Sequence, residues 1–444
     1  MAATDPRQII DDNPMSVRQW IVVVLMILLN ALDGFDVLSS AFAAPGISAE
    51  WQIQRAALSV VLSAELVGMG FGSVLLGGMA DRYGRKLTML ACLAVMAVGM
   101  FLASTAHAVA PMVAFRFITG IGIGGMLAAT NAVVAESTSR VARRNATAAY
   151  VAGYPLGAVI GGFVAQGWLL VEYDWRAVFL FGAVVTAALI PLTLLLVPET
   201  AAFHASRRNL AGVNGTLRAF GKTGIKELPP VSPNAVKPKV TDILSNPKLR
   251  PVTLLLAFGY MFHTMTFYYI LKFAVQIVAD YPPGYSPAHA ASVLTWANIG
   301  GMVGSFVFGF IMSKFGIRWP TVIMLALGSA AVVAFGFGRE TLAGWQWATV
   351  MTGFFTNAAI SGYYAAYSRG FPAHARAAGT GFVLGVGRLG AAGSPLIAGA
   401  LFTWLGNDQL LTVSSIMALG SIFSLVMFLM LPERDGDEVV AGKH

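Results

Sequence analysis

Charge is what this 444-residue chain has least of: 11% of its residues are Asp, Glu, Lys or Arg, against 57% apolar. Soluble domains of the usual ~150 residues need far more charge than that to cover their surfaces, so a string of such domains is excluded. Cysteine is scarcer still. Cys92 stands alone inside an apolar run, which excludes a disulfide framework within the chain and a thiolate metal cage, and leaves a small packing residue. No nucleophile elbow, phosphate-binding loop or His/Cys zinc spacing occurs. Gly120-x-Gly122-x-x-Gly125 matches the dinucleotide fingerprint letter for letter, but no strand precedes it. Inside an apolar helix such glycines serve close helix packing. Nothing offers a nucleophile, a metal site or a cofactor site, and an enzyme is not expected.

What the chain has instead is hydrophobic length, with a positive mean hydropathy. Windows of about 19 residues predict twelve membrane spans, at 20–44, 55–77, 87–105, 112–135, 146–169, 176–197, 251–279, 288–312, 319–337, 344–367, 378–404 and 409–431. Ala41-Phe42-Ala43 resembles a signal-peptidase site, but the run before it is too long and carries two aspartates. The one long polar connection, 200–249, divides the chain into halves of six spans, 1–199 and 250–444. The expectation is an all-α membrane protein of twelve transmembrane helices in two pseudo-symmetric six-helix bundles.

The net charge of +8 is an orientation signal. With both termini on one side, that side holds 23 of the 29 basic residues; the other holds Arg55, Arg176 and Arg339, and Arg116, Lys272 and Arg388 lie inside spans. Loops rich in Lys and Arg stay cytoplasmic. Both termini are therefore expected in the cytoplasm, and nucleic acid is not needed as a partner. Asn145-Ala-Thr147 and Asn214-Gly-Thr216 fall on that side and are discounted as glycosylation acceptors.

The halves also repeat. Gly77-Gly-Met-Ala-Asp81-Arg82-Tyr-Gly84-Arg85-Lys86 follows span two, and Gly309 to Arg318 follows span eight, 232 residues later. Leu156-Gly157-Ala158 and Leu389-Gly390-Ala391 are 233 apart; Pro198-Glu199 and Pro432-Glu433 are 234 apart. Parallel repeats of six spans, with a substrate site near the midplane, are one transporter plan.

The most informative stretch is Asn30-Ala-Leu-Asp33-Gly34-Phe35-Asp36, in the middle of span one. Asn30, Asp33 and Asp36 follow one another at i+3 and share a helix face. A charge at a helix centre costs roughly 2.5–3.5 kcal/mol even on lenient insertion scales, so acids there are read as functional unless they only fix packing. The interior acids are Asp33, Asp36 and Glu65; the interior bases are Arg116, Lys272 and Arg388, with His263 in span seven. Such a core accepts an added anion best when a proton arrives with it. Arg388 offers a planar fork suited to a carboxylate, or equally a structural partner for an acid, with Lys272 the second choice. Arg116 is placed to tune an aspartate. Glu65 is open between a proton site and a structural pair, and His263 is read as a satisfied interior group. Tyr268, Tyr269, Trp296 and Phe382, with Phe267, Tyr363 and Tyr364, are candidates to stack on an aromatic ring, though most aromatic residues pack helices. Asn298 and Asn357 are candidate hydrogen-bond donors to a ring hydroxyl.

The motif Gly-x-x-x-Asp-Arg-x-Gly-Arg-Lys at 77–86 resembles the loop signature of the major facilitator superfamily. That resemblance implies the major facilitator fold and a gate cluster of Asp81, Arg82 and Arg85 with Glu136. The second copy departs from it, with Ser313 in the acid's place and Ile317 before Arg318. Asp33-Gly-Phe-Asp36, the run from Arg116 to Gly125, Arg376, Gly385-Val-Gly-Arg388-Leu-Gly and Tyr268-Tyr269-Ile-Leu-Lys272 are similar to the aromatic acid/proton symporter family within it. Phe382 stands where a tryptophan is expected. The resemblance implies inward transport of a benzoate-like or hydroxybenzoate-like carboxylate with protons, across the inner membrane. It implies no cofactor beyond the coupling proton. The functional set carried over is Asp33, Asp36, Arg116, Glu136, Arg376 and Arg388. A monomer in the lipid bilayer is expected. Drug/proton antiport and a non-transporting receptor are the alternatives, the first disfavoured because interior bases balance interior acids.

Overall fold

The computed structural model describes residues 5–229, 240–372 and 375–432. Glu433 of the repeated Pro-Glu pair, ten residues of the 200–249 connection and the last part of the C-terminal tail therefore lie outside the described residues. The described residues are helical, with no strand among them. A short helix α1 (Pro6–Asp12) is followed by the first six long helices: α2 (Val17–Trp51), α3 (Arg55–Tyr83), α4 (Arg85–Ser104), α5 (Val109–Ser137), α6 (Arg140–Val164) and α8 (Arg176–Leu196). Between the last two, α6 runs on through a π-helical turn, Ala165–Leu169, into a final turn α7 (Leu170–Glu172). The connection contributes α9 (Ala201–Ser206), α10 (Leu210–Ala219) and α11 (Val240–Ser245). The second set comprises α12 (Leu249–Asp280), α13 (Pro287–Phe315), α14 (Arg318–Gly336), α15 (Leu342–Gly370), α16 (Arg376–Leu405) and α17 (Leu410–Leu429).

Every predicted span has its helix, and several helices outrun their span, α2, α3 and α6 by more than a turn at one end. Apolar windows register only what lipid must cover; hydrogen bonding carries α2 on through Pro45 to Trp51. Eleven of the long helices are long and apolar enough to cross a membrane. The remaining one, α15, has the length, but Gln346, Asn357 and its tyrosines lower its hydropathy. Large apolar side chains such as Val74, Phe306 and Trp404 lie exposed on these helices, as a lipid-facing surface requires.

The described residues pack as two compact units, one from 5–39, 67–161 and 176–229, the other from 40–66, 162–175, 240–372 and 375–432. In the first, α2 and α6 cross almost backbone to backbone. A Cβ on Gly34 would fall 2.9 Å from the Tyr154 carbonyl carbon and 3.3 Å from the Ala158 nitrogen, so only glycine fits between the two aspartates. Gly122 and Gly125 serve packing as expected: a Cβ on Gly125 would meet Leu76 of α3 at 2.5 Å and the Cys92 Sγ of α4 at 2.8 Å. In the second unit, α12 packs on α16 through Gly387, which faces Tyr260, and Gly390, which faces Thr264.

Both units carry the same clasp at the repeated loop. Gly84 (φ +104°) precedes α4 and Gly316 (φ +76°) follows α13, each in a backbone region that favours glycine. Beyond each glycine a base closes on the end of the sixth long helix of its set. Lys86 Nζ donates to the Leu194 carbonyl at 2.6 Å, and Arg318 donates to the Leu429 and Leu431 carbonyls at 2.5 and 3.3 Å.

Candidate functional site

The acidic stretch of α2 is fully buried: Asp33 and Asp36 are both 0% exposed. No carboxylate oxygen of either accepts a hydrogen bond among the described residues. Asn30 does not serve them, since its amide donates to the Tyr150 carbonyl at 2.6 Å. Arg116, also fully buried, donates to the Asp36 main-chain carbonyl at 2.8 Å and to Met100 Sδ at 2.8 Å, with its guanidinium 5.2 Å from the centre of the Phe179 ring. Its charge acts on Asp36. The expected pairing of an arginine with the aspartates thus takes the form of a main-chain anchor that holds a positive charge beside them.

Glu65, left open between a proton site and a structural pair, and Lys272, the second choice for the substrate carboxylate, face each other. Lys272 Nζ lies 3.0 Å from Glu65 Oε1, and neither side chain has any exposure. Ser40 donates to Glu65 Oε2 at 3.2 Å. Two turns further along α12, Asp280 pairs with Arg55 at 3.2 Å and accepts from the Gln276 side-chain amide, whose Nε2 lies 2.9 Å from each of its oxygens. The Arg55 guanidinium stacks 4.2 Å above the Phe402 ring.

Arg388 sits half-buried on α16, and its charge reaches the Tyr260 and Tyr364 hydroxyls, which share a hydrogen bond. Tyr268 lies close enough to Tyr260 to interact with it. Tyr269 does not join them: it points about 100° away on the same helix, fully buried, and bonds Ser414 of α17 at 2.8 Å. Tyr363 is likewise taken up by Ser424, at 2.6 Å. Asn298 donates to Leu294 of its own helix at 2.8 Å, and Asn357 to Gly353 at 3.1 Å. Trp296 is 39% exposed, and Phe382 packs against the core cluster around Tyr260 and Tyr363. His263 is satisfied on both sides, with Nδ1 at 3.0 Å from Ser421 Oγ and Nε2 at 2.9 Å from the Thr356 carbonyl.

At the α3–α4 turn, Arg85 bridges Asp81 at 3.1 Å and Glu136 at 3.0 Å. Arg82 is exposed and lies over the Tyr83 ring, and Arg376 is exposed at the first turn of α16. Two contributors were missed. Arg7 of α1 donates to the Glu136 and Ala135 carbonyls at 2.7 and 2.8 Å, tying the N-terminus to the cluster. Glu199 accepts from the main-chain N–H groups of Arg85 and Lys86 at 3.0 and 3.1 Å, a carboxylate on the N-terminus of α4 where the helix dipole favours it. Its place in the repeated Pro-Glu pair was the signal. Tyr260 was also missed, although Tyr260, Thr264, Tyr268, Lys272, Gln276 and Asp280 recur at i+4. That spacing winds a polar ribbon slowly round α12, since each step advances it about 40°.

Long apolar helices with charges enclosed among them make this an integral membrane protein of the transporter class. The family model described as Major Facilitator Superfamily matches residues 25–284 and 256–443. The chain is 30% identical to the gallate transporter of Pseudomonas putida over 96% of its own length and 95% of that protein's. It is 29% identical to the 4-hydroxybenzoate transporter PcaK of Pseudomonas aeruginosa, over 91% and 89%. Among solved structures, the inward open xylose transporter XylE of E. coli aligns with a TM-score of 0.72 over 96% of this chain and 100% of that one; at 13% identity the likeness is one of fold. The chain belongs to the Major Facilitator Superfamily, and within it to the aromatic-acid transporters, a family of carriers and not of enzymes.

Proposed function

We propose that the protein is a proton-coupled symporter that imports a benzoate-like or hydroxybenzoate-like carboxylate across the cytoplasmic membrane by alternating access between its six-helix halves, as a monomer with both termini in the cytoplasm. The observation that carries this reading is the pair of fully buried, unbonded carboxylates at Asp33 and Asp36. An ionised carboxylate without hydrogen bonds in a low-dielectric interior is costly, so each must gain a proton or a partner as the cycle turns. Arg116 supplies the partner: a small shift of its guanidinium from the main chain to a side chain exchanges a proton for an ion pair. Arg388, ringed by tyrosine hydroxyls, is the carboxylate clamp. No cofactor beyond protons is needed.

The energetics favour coupling. An anion entering a cell 100 mV negative inside works against about 2.3 kcal/mol per charge, and one accompanying proton removes that cost. The experiment is uptake of labelled 4-hydroxybenzoate, benzoate, phenylacetate and cinnamate by proteoliposomes under an imposed pH gradient. Accumulation with the outside acid, abolished by a protonophore, is expected. No accumulation of any of the four refutes the reading.

A further inference from the structure

The Glu65–Lys272 contact has the form of a lysine holding a carboxylate, and the carboxylate belongs to the protein. Both groups are fully buried at 3.0 Å, and Ser40 steadies the second oxygen of Glu65. Lys272 lies twelve residues beyond Tyr260 on α12, about 18 Å along the helix axis, whereas Arg388 follows Gly387, the glycine of α16 that faces Tyr260. The two bases are thus anchored more than three turns of helix apart. The expected clamp therefore separates into two stations at different depths, and the outer one is filled by Glu65.

We propose that Glu65 is a built-in stand-in for the substrate carboxylate: substrate arriving from outside takes its place on Lys272, and Glu65 leaves carrying a proton. This rests on the symport reading above. The exchange balances. The Lys272 ammonium gives up its hydrogen bond to Glu65 and donates one to the substrate carboxylate, while a proton from the outer solution adds to Glu65. One anion and one proton enter together, and the net charge buried at the pair stays zero. Substrate later passes down the ribbon by Tyr268 to Arg388, and Glu65 closes back on Lys272 as it releases its proton inward.

In the same unit, Arg55 pairs with Asp280 and stacks on Phe402, and Glu50 accepts from Trp175 Nε1 at 2.8 Å. Asp36 precedes Ser40 by one turn on α2, so the acid stretch and Glu65 are served by one helix. A purely structural pair predicts something different, because any arrangement that restores the ion pair should restore the protein.

The test uses the full-length protein in proteoliposomes, with 4-hydroxybenzoate as the probe and half-saturation from the outside measured against pH. If displacement requires one proton at Glu65, half-saturation rises by roughly tenfold per pH unit above the range in which the displaced acid is protonated. Glu65→Gln is expected to lower the wild-type slope by one, whatever Asp33 and Asp36 contribute, and Lys272→Arg to keep it. The swapped double variant E65K/K272E retains the pair and is expected to fold but not to transport, which carries the test should Glu65→Gln fail to fold. A wild-type slope in Glu65→Gln, or full transport by the swapped variant, overturns the exchange. Absence of aromatic carboxylate uptake by the wild type overturns the symport reading itself.

Discussion

Gly34→Ala is the sharpest test of how the acid stretch is held. The added methyl would lie 2.9 Å from the Tyr154 carbonyl carbon, 0.5 Å short of the 3.4 Å at which ordinary contact begins, and closer still to the carbonyl oxygen. The obstacle is main chain on α6, which cannot rotate aside as a side chain can. The helices must part, and overpacking of this kind costs about 1–3 kcal/mol. Asp33 and Asp36 flank the glycine and move with α2. Displacement of working groups by ~1 Å can cost about a hundredfold in rate, so uptake should fall more steeply than stability. Gly70→Ala on α3, where a Cβ meets nothing within 4 Å, is the control; its effect should stay within about 0.5 kcal/mol. Thermal unfolding of the purified proteins and initial uptake rates in proteoliposomes decide. Equal melting and uptake for Gly34→Ala and wild type, or equal damage from Gly70→Ala, refutes the reasoning.

Other outcomes follow from the same geometry. Asp33→Asn and Asp36→Asn should still exchange labelled substrate across the membrane but lose accumulation against a gradient; retention of accumulation in both counts against proton coupling there. Arg388→Lys removes the planar fork and should weaken carboxylate binding by about 1.4–2.8 kcal/mol, or ten- to a hundredfold, without touching neutral analogues such as the methyl ester; calorimetric titration distinguishes the two. Glu199→Gln removes a charged cap from α4 and should cost about 1 kcal/mol in thermal stability, most visibly at low salt. Lys86→Arg should be nearly neutral in the same melt, whereas Lys86→Gln, which can no longer place a charge on the Leu194 carbonyl, should not.

Much of the fold was legible because lipid imposes a crude rule. Twenty apolar residues register in any window, and the offsets of 232 to 234 between Asp81 and Ser313, Gly157 and Gly390, and Glu199 and Glu433 expose the duplication without coordinates. Part of the charge cluster at Arg85 was legible because Asp81, Arg82 and Arg85 lie in one loop motif, whose resemblance implies Glu136 as the partner 51 residues away; Arg7 and Glu199 lie outside that motif and were missed. What escaped the sequence depends on approach in space. That Lys272 holds Glu65 follows from two helices meeting 207 residues apart in the chain. Tyr268 and Tyr269 are adjacent letters, yet one faces the ribbon and the other Ser414, and only the rotation of α12 against α17 separates them. The π turn at Ala165–Leu169 has no composition to announce it.

The paired clasps at Leu194 and Leu429 have a bearing on how such chains descend. One copy uses lysine and the other arginine, and the residues around them have drifted so far that the acid of the first loop is a serine in the second. Neither identity nor side-chain shape was kept through the duplication; what survived is a cation at a fixed reach from a left-handed glycine, ending on the last open carbonyls of a helix. Ancestry in this architecture is thus recorded as an electrostatic address as well as in the letters that repeat.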